Sequence, residues 1–357
     1  MSTFQKFIQY YKPYKKVFIF DLICAAFISL VDLAYPQILR SLTKTLFLKD
    51  ASMILKTLPI IGGILFICYI FQAFCKYYVS CQGHIMGAQM ERDMRRKLFD
   101  HYENLSFSYY DQHNTGQMMS RLVSDLFDIS EAAHHGPENL FISLVKIVGS
   151  FIFLFIIQWK LAIILLAIVL LMIFFSAKQN RKMQATFLDN RRKIGDVNTS
   201  LQDSLAGIRI VQSFANEDIE REKFRVGNEA FLDSKRDNYR AMGSFQSGNT
   251  FFQGMMYLVT LLAGGYFIAL GQMSAADLAM YALYIGIFIS PIQILVELTE
   301  MIQKGMSGFI RYQSVIDIEP EITDSVDAVN MKHPDGDICY HDVSFSYEDN
   351  ELSLIHI

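Results

Sequence analysis

The 357 residues predict an all-α membrane protein with six transmembrane helices and two long cytoplasmic helical hairpins, followed by the first β-strand of an α/β domain. Three observations carry this fold class. Residues 57–75, 161–177 and 278–296 contain no Asp, Glu, Lys or Arg, and crossing a hydrocarbon core of about 30 Å takes roughly 20 such residues. The chain is 52% hydrophobic and 13% aromatic with a mean hydropathy of +0.24, more apolar than the one-sided stripe of a soluble helix requires. Two polar stretches of helical pattern, residues 84–135 and 178–240, interrupt the apolar blocks.

The spans follow in order. Residues 17–39 contain only Asp21 and Asp32 as charged groups, and 139–159 contain only Lys146. Residues 241–276 form a longer uncharged run. With the three runs above, the predicted spans are 17–39, 57–78, 138–158, 160–178, 246–270 and 277–299. Lipid offers the backbone no hydrogen-bond partner, so these spans must be helices. Basic residues precede the first span with no small-residue cleavage site after it, which argues against a removable signal peptide. Cys24, Cys68, Cys75 and Cys81 sit in or beside spans, and their spacing suggests neither a disulfide framework nor a zinc site.

Orientation comes from lysine and arginine. Lys6, Lys12, Lys15 and Lys16 precede the first span, six basic residues lie between Lys76 and Arg121, and thirteen between Lys178 and Arg240. The opposite loops hold Lys44, Lys49 and Lys56, then Lys160, then none. The positive-inside rule therefore places both termini and both polar stretches in the cytoplasm; the membrane expected is the cell (plasma) membrane, of the bacterial inner-membrane type. The net charge of −4 does not oppose this, because acidic residues contribute little to topology.

The polar stretches read as rods. Met86, Met90, Met94, Leu98, Tyr102 and Leu105 recur at steps of three or four and draw one apolar stripe on a helix. A helix over residues 57–105 would be about 73 Å long, of which the hydrocarbon takes up only about 30 Å. In the first tip, residues 106–113 lead to Asn114 and Gln117, spaced as the capping pair of a returning helix. In the second, Ser204-Leu205-Ala206-Gly207 interrupts the helix, and Glu217 and Asp218 after Asn216 put acids on the first turn of the next, where the helix dipole favours them. Residues 107–110 and 208–214 are short amphipathic segments suited to docking.

The runs NTGQMMSRLVSDLFDI (114–129), LQDSLAGIRIVQSFANE (201–217), YYKPYKK (10–16) and DVSFSY (342–347), in this order on a six-span topology, resemble the type 1 transmembrane domain of ATP-binding cassette (ABC) exporters. The resemblance covers nearly the whole chain. It implies a half-transporter that pairs with a second protomer, identical or related, and moves a lipophilic or amphipathic substrate such as a drug, lipid or peptide by alternating access. It also implies coupling helices at the hairpin tips, carrying Phe107, Tyr109 and Tyr110 in the first and Ile208, Val211 and Phe214 in the second. These would dock on nucleotide-binding domains in cis and in trans. ATP and Mg2+ are the implied cofactors of the full-length protein, an ATP-hydrolysing translocase of multidrug-exporter type; membrane lipids are partners and nucleic acid is not.

The domain boundaries expected are a transmembrane domain over 1–317, an acidic linker over 318–337 and the start of a nucleotide-binding domain over 338–357. Val343, Phe345 and Tyr347 alternate with Ser344 and Ser346, as in a half-buried strand. By resemblance Tyr347 stacks on adenine; read from its residue type alone, it closes a strand edge. Phosphate binding needs a glycine-rich loop ending in Gly-Lys-Ser/Thr, and no Gly-Lys pair occurs in these residues. The expectation is a fragment or a truncated product that binds no ATP and carries no catalytic residue of its own. An ion-gradient transporter or channel, or a non-functional remnant, are the alternatives.

Ionisable groups at membrane depth are costly and usually face a cavity or a partner. Asp32 and Glu297 are the substrate-path candidates on that ground, with Phe251 and Met255 in a soft stripe that also includes Phe252, Met256 and Tyr257. Lys146 belongs to the same charged set, while Asp21 and Glu300 are expected at the cytoplasmic interface, hydrated. Gly83 and Gly87 form a GxxxG at the cytoplasmic edge, suited to close helix packing. His134 and His135, adjacent and so on different helix faces, are expected to be solvated and to hold no metal; Arg191, Arg192 and Lys193 read as a solvated surface.

Overall fold

The uncharged runs fold as helix, apart from a turn at 270–274 within the run 241–276, and the helices overshoot the runs because the flanking polar residues continue the same backbone hydrogen bonding out of the apolar zone. The computed structural model describes residues 3–325, 327–329, 333 and 336–342. The order is α1 (Thr3–Gln9), α2 (Lys15–Lys44), α3 (Ala51–Tyr78), α4 (His84–Glu103), α5 (Phe107–Gln112), α6 (Thr115–Ser120), α7 (Leu126–Ala206), α8 (Ile208–Ser213), α9 (Glu217–Ala269) and α10 (Ala275–Ile316). Wide π turns, Val79–Gly83 and Arg121–Asp125, join α3 to α4 and α6 to α7. Among the described residues five helical stretches are long and apolar enough to cross a membrane, and there is no strand. Tyr347 and the strand expected around it lie outside the described residues.

One of those five stretches reverses direction. Within α7, Gln158 has φ −155° and ψ 96°, extended backbone that no helix contains. Before it, α7 runs antiparallel to α10: Asp125 pairs with Arg311, and Leu154 lies beside Tyr281. After it, α7 runs parallel to α10, since Asn180 donates to the Val296 carbonyl and Gln184 to Glu300. The Tyr281 hydroxyl lies 2.8 Å and 2.7 Å from the carbonyl oxygens of Leu154 and Gln158, which the break deprives of helical partners.

The expected helix over 57–105 is longer than predicted. Helix continues from Ala51 to Glu103, 53 residues, or about 80 Å. Its apolar stripe is a buried face: Met86, Met90, Met94, Leu98, Tyr102 and Leu105 are all under 10% exposed. From Met90 onward they pack with Leu126, Ile129, Phe309 and Tyr312 in a core separate from the cluster around Leu154, Leu161, Met172, Tyr281 and Phe288. Gly305 makes the close approach of α10 to α7 possible here, since a Cβ there would stand 2.3 Å from that of Ala132. By contrast the most apolar window of α3 is not buried at all, as suits a helix turned to lipid.

Candidate functional site

The first tip is α5, fixed by its tyrosines. Tyr109 is buried, stacks on His113 at a centroid distance of 4.0 Å and accepts a hydrogen bond from Arg121. The Tyr110 hydroxyl donates to the Tyr102 carbonyl. Phe107 takes no part in this anchoring and is 87% exposed. The coupling residues named together from the sequence thus divide into two anchors and one projecting ring. Asn114 caps the returning helix, but through the Gly116 N–H at 2.7 Å. The reciprocal side-chain bond expected from Gln117 does not appear among the described residues, since a cap satisfied at N2 leaves the capping box unformed.

The second tip is α8, set off from α7 by Gly207 and from α9 by Ala215, whose φ of +50° closes the turn. Ile208, Ile210 and Phe214 are exposed, and Val211 is half-buried. Glu217, Asp218 and Glu220 stand on the first turn of α9 as expected. Glu220 is bound by Ser204 and by Lys223, closing the end of the hairpin. Down the arm, polar side chains pair across the two helices: Ser176 with Asn249, Thr186 with Asn238 and Asn190 with Ser234.

The membrane-level candidates are scattered. Asp32 pairs with Lys146 at 2.6 Å and accepts from Gln72 at 2.8 Å, so the two charges offset one another between α2 and α7. Asp32 also lines a cleft of about 210 Å³ with Tyr35, Tyr69, Leu283 and Ile287. Glu297 and Phe251 are exposed and Met255 is half-buried. The soft stripe splits, with Met256 fully buried and Phe252 packed on Phe175 while Tyr257 faces outward. Glu300 accepts from Gln184 and pairs with Lys304.

Two expectations are corrected. Asp21 is 3% exposed with an unpartnered Oδ1, because α2 is packed on both α3 and α7 at this level and no water reaches it. His134 is 4% exposed rather than solvated, and its ring centroid stands 3.8 Å from that of His135, so the two rings meet although neighbouring residues start on different helix faces. Burial pushes the His134 imidazole down to about 4.

The ABC transporter transmembrane region family matches residues 18–292. The chain belongs to that family. Its relatives include the uncharacterized ABC transporter ATP-binding protein YwjA of Bacillus subtilis (strain 168), 36% identical over 98% of this chain and 60% of that protein. The ATP-dependent lipid A-core flippase of Syntrophus aciditrophicus (strain SB) is 23% identical over 99% of this chain and 58% of the relative. The putative multidrug export ATP-binding/permease protein YgaD of Bacillus subtilis (strain 168) is 25% identical over 100% and 62%. The chain therefore spans about 60% of the length of the curated relatives it matches.

In this ABC transmembrane domain the structure adds contacts that the sequence pattern did not single out. The three tyrosines of the YYKPYKK run tie α4, α7 and α10 together: Tyr10 meets the Tyr312 hydroxyl at 3.2 Å, Tyr11 donates to the Ala133 carbonyl, and Tyr14 donates to Asp93. The Tyr14 hydroxyl holds the Asp93 carboxyl below the usual range, and burial raises the Tyr11 phenol. Asp125 accepts from two guanidinium nitrogens of Arg311, Nε and Nη2, at 2.8 and 2.7 Å, a bidentate pair. A carboxylate on the apolar-patterned side of the DLFDI run was the available signal for that pair.

Proposed function

We propose that this chain is the membrane-spanning part of an ATP-driven half-transporter that exports a lipophilic or amphipathic compound by alternating access. Six crossings, at 17–39, 57–78, 138–158, 160–178, 246–270 and 277–299, would form one side of the pathway, with both termini in the cytoplasm. The chain reversal at Gln158 supports the third and fourth crossings as separate spans. A second protomer would complete the dimer, and ATP with Mg2+ would bind nucleotide-binding domains in the full-length protein.

One observation carries this reading: each hairpin ends in a six-residue helix that offers apolar side chains to solvent, Phe107 on one and Ile208, Ile210 and Phe214 on the other. Soluble apolar groups held out on rods are docking surfaces in search of a partner. ATP shifts the cavity between inward-facing and outward-facing states only if it binds one state better, and stiff hairpins are what would convey that difference to the membrane. The relatives named as a lipid A-core flippase and a multidrug exporter support a greasy cargo.

The test uses the full-length protein reconstituted in liposomes, with a fluorescent lipid and a lipophilic dye as cargo. Phe107→Asp and Ile208→Asp should lower transport at least about fivefold, roughly 1 kcal/mol of lost coupling, while ATPase keeps more than half its rate. Undiminished transport in both variants would overturn the coupling role. Tyr347→Ala should weaken ATP binding, and unchanged nucleotide affinity would remove the stacking role.

A further inference from the structure

We propose that His84, His134 and His135 form a binding site for a divalent transition-metal ion of the Zn2+ class at the base of the first hairpin, where α4 crosses α7. One ligand atom from each of the three rings lies within 4.8 Å of the others. The ring centroids are 4.5 Å apart for His84 and His134, 4.9 Å for His84 and His135, and 3.8 Å for the adjacent pair. Three imidazoles from two helices is the donor set that borderline ions such as Zn2+, Ni2+ and Cu2+ select.

His134 is the group that points to a ligand. Its Nδ1–H donates to the Ser130 carbonyl at 3.1 Å, the orienting bond that metal-bound imidazoles commonly make, and it leaves Nε2 with the lone pair. That Nε2 is buried and has no hydrogen-bond partner. A buried acceptor left in this way is costly, and a cation is what an imidazole lone pair satisfies best.

The surroundings are shaped around this ring. A Cβ at Gly87 would stand 3.0 Å from His134 Nδ1, and one at Gly83 would stand 3.3 Å from Asp21 Oδ1 and 3.9 Å from His134 Cδ2. The GxxxG therefore makes room for an imidazole and not only for a helix. Asp21, buried on α2 with Oδ1 unpartnered, places a carboxyl oxygen on the far side of Gly83, and Glu131 lies 3.7 Å from His135 Nε2. Donor atoms around a tetrahedral ion with Zn–N of about 2.0 Å are about 3.3 Å apart, a spacing that small rotations of the exposed His84 and half-buried His135 reach. The fourth position would go to water or to a carboxylate. Such an ion would pin α4 to α7 just where the rod leaves the membrane.

The test takes full-length protein purified without a polyhistidine tag, stripped with a chelator and titrated with Zn2+ against a chromogenic competitor. One Zn2+ per chain is expected, together with a rise in the thermal midpoint and ligand-field absorption when Co2+ is used instead. His84→Gln and His135→Gln should each weaken binding at least about tenfold, a typical loss for a first or outer ligand, and abolish the thermal shift; His333→Gln, far from the cluster in sequence, should bind as the unaltered protein does. His84 is exposed, so its variant folds even if a change at His134 does not. No stoichiometric Zn2+ binding by the unaltered protein, or an unchanged affinity in His84→Gln, would overturn the site.

Discussion

The two hairpins have similar lengths and unlike surroundings. The first is packed within its own chain: α4 lays a fully buried stripe on α7 and α10, and the N-terminal tyrosines and the Asp125–Arg311 pair brace it from the sides. The second, the far part of α7 with α9, is held by a narrow polar seam between its own two helices, and between Asn180 and Ala241 its buried residues are Val197 and Ser234. The difference teaches that a rod of this length is stabilised either by its own chain or by something outside it. The second hairpin has few such contacts within its own chain.

The widest expected separation is in the cores. Leu98→Ala should cost about 3 kcal/mol, because a fully buried leucine leaves a cavity, whereas Leu188→Ala, 66% exposed on the second arm, should change stability by less than about 0.5 kcal/mol. Thermal midpoints in detergent check both, and a large loss at Leu188 in the dimer alone would mark a partner contact.

Next comes the approach of α10 to α7. Gly305→Ala should cost about 2 kcal/mol by overpacking against Ala132, seen as reduced folded yield by size-exclusion profile. The N-terminal brace is weaker: Tyr14→Phe should cost about 1 kcal/mol through the lost bond to Asp93, and an unchanged midpoint would show that the brace does not hold α4. The smallest effect has the opposite sign. Gly195 has open space where a Cβ would go, so Gly195→Ala should stabilise the second arm by roughly 0.5–1 kcal/mol through helix propensity. Hydrogen exchange over residues 190–200 would record the gain as slower exchange, and no slowing would mean that the arm is already held rigid.

Much of this was readable from residue order. Uncharged runs of membrane length dictate helices, because lipid satisfies no backbone group. The step of three and four from Met86 to Tyr102 marked the buried face correctly, and Gly207 marked the second tip, since both signals are local. The division of Phe107 from Tyr109 and Tyr110 was not readable: one six-residue amphipathic stretch gives no hint which ring faces its own chain. Nor was the fate of Asp21, whose hydration depends on helices that pack over it from elsewhere in the chain.

What the order of residues determined alone, then, is the helical character of the apolar runs and the positions of the two tips, which follow from the backbone's need for hydrogen bonds and from apolar periodicity. Only the tertiary structure decided which charges meet, as Asp32 with Lys146 and Asp125 with Arg311, and that His84 from one helix reaches the buried His134 and half-buried His135 of another. Those pairings depend on how rods some 80 Å long cross, and a crossing is set by side-chain packing between segments far apart in the chain.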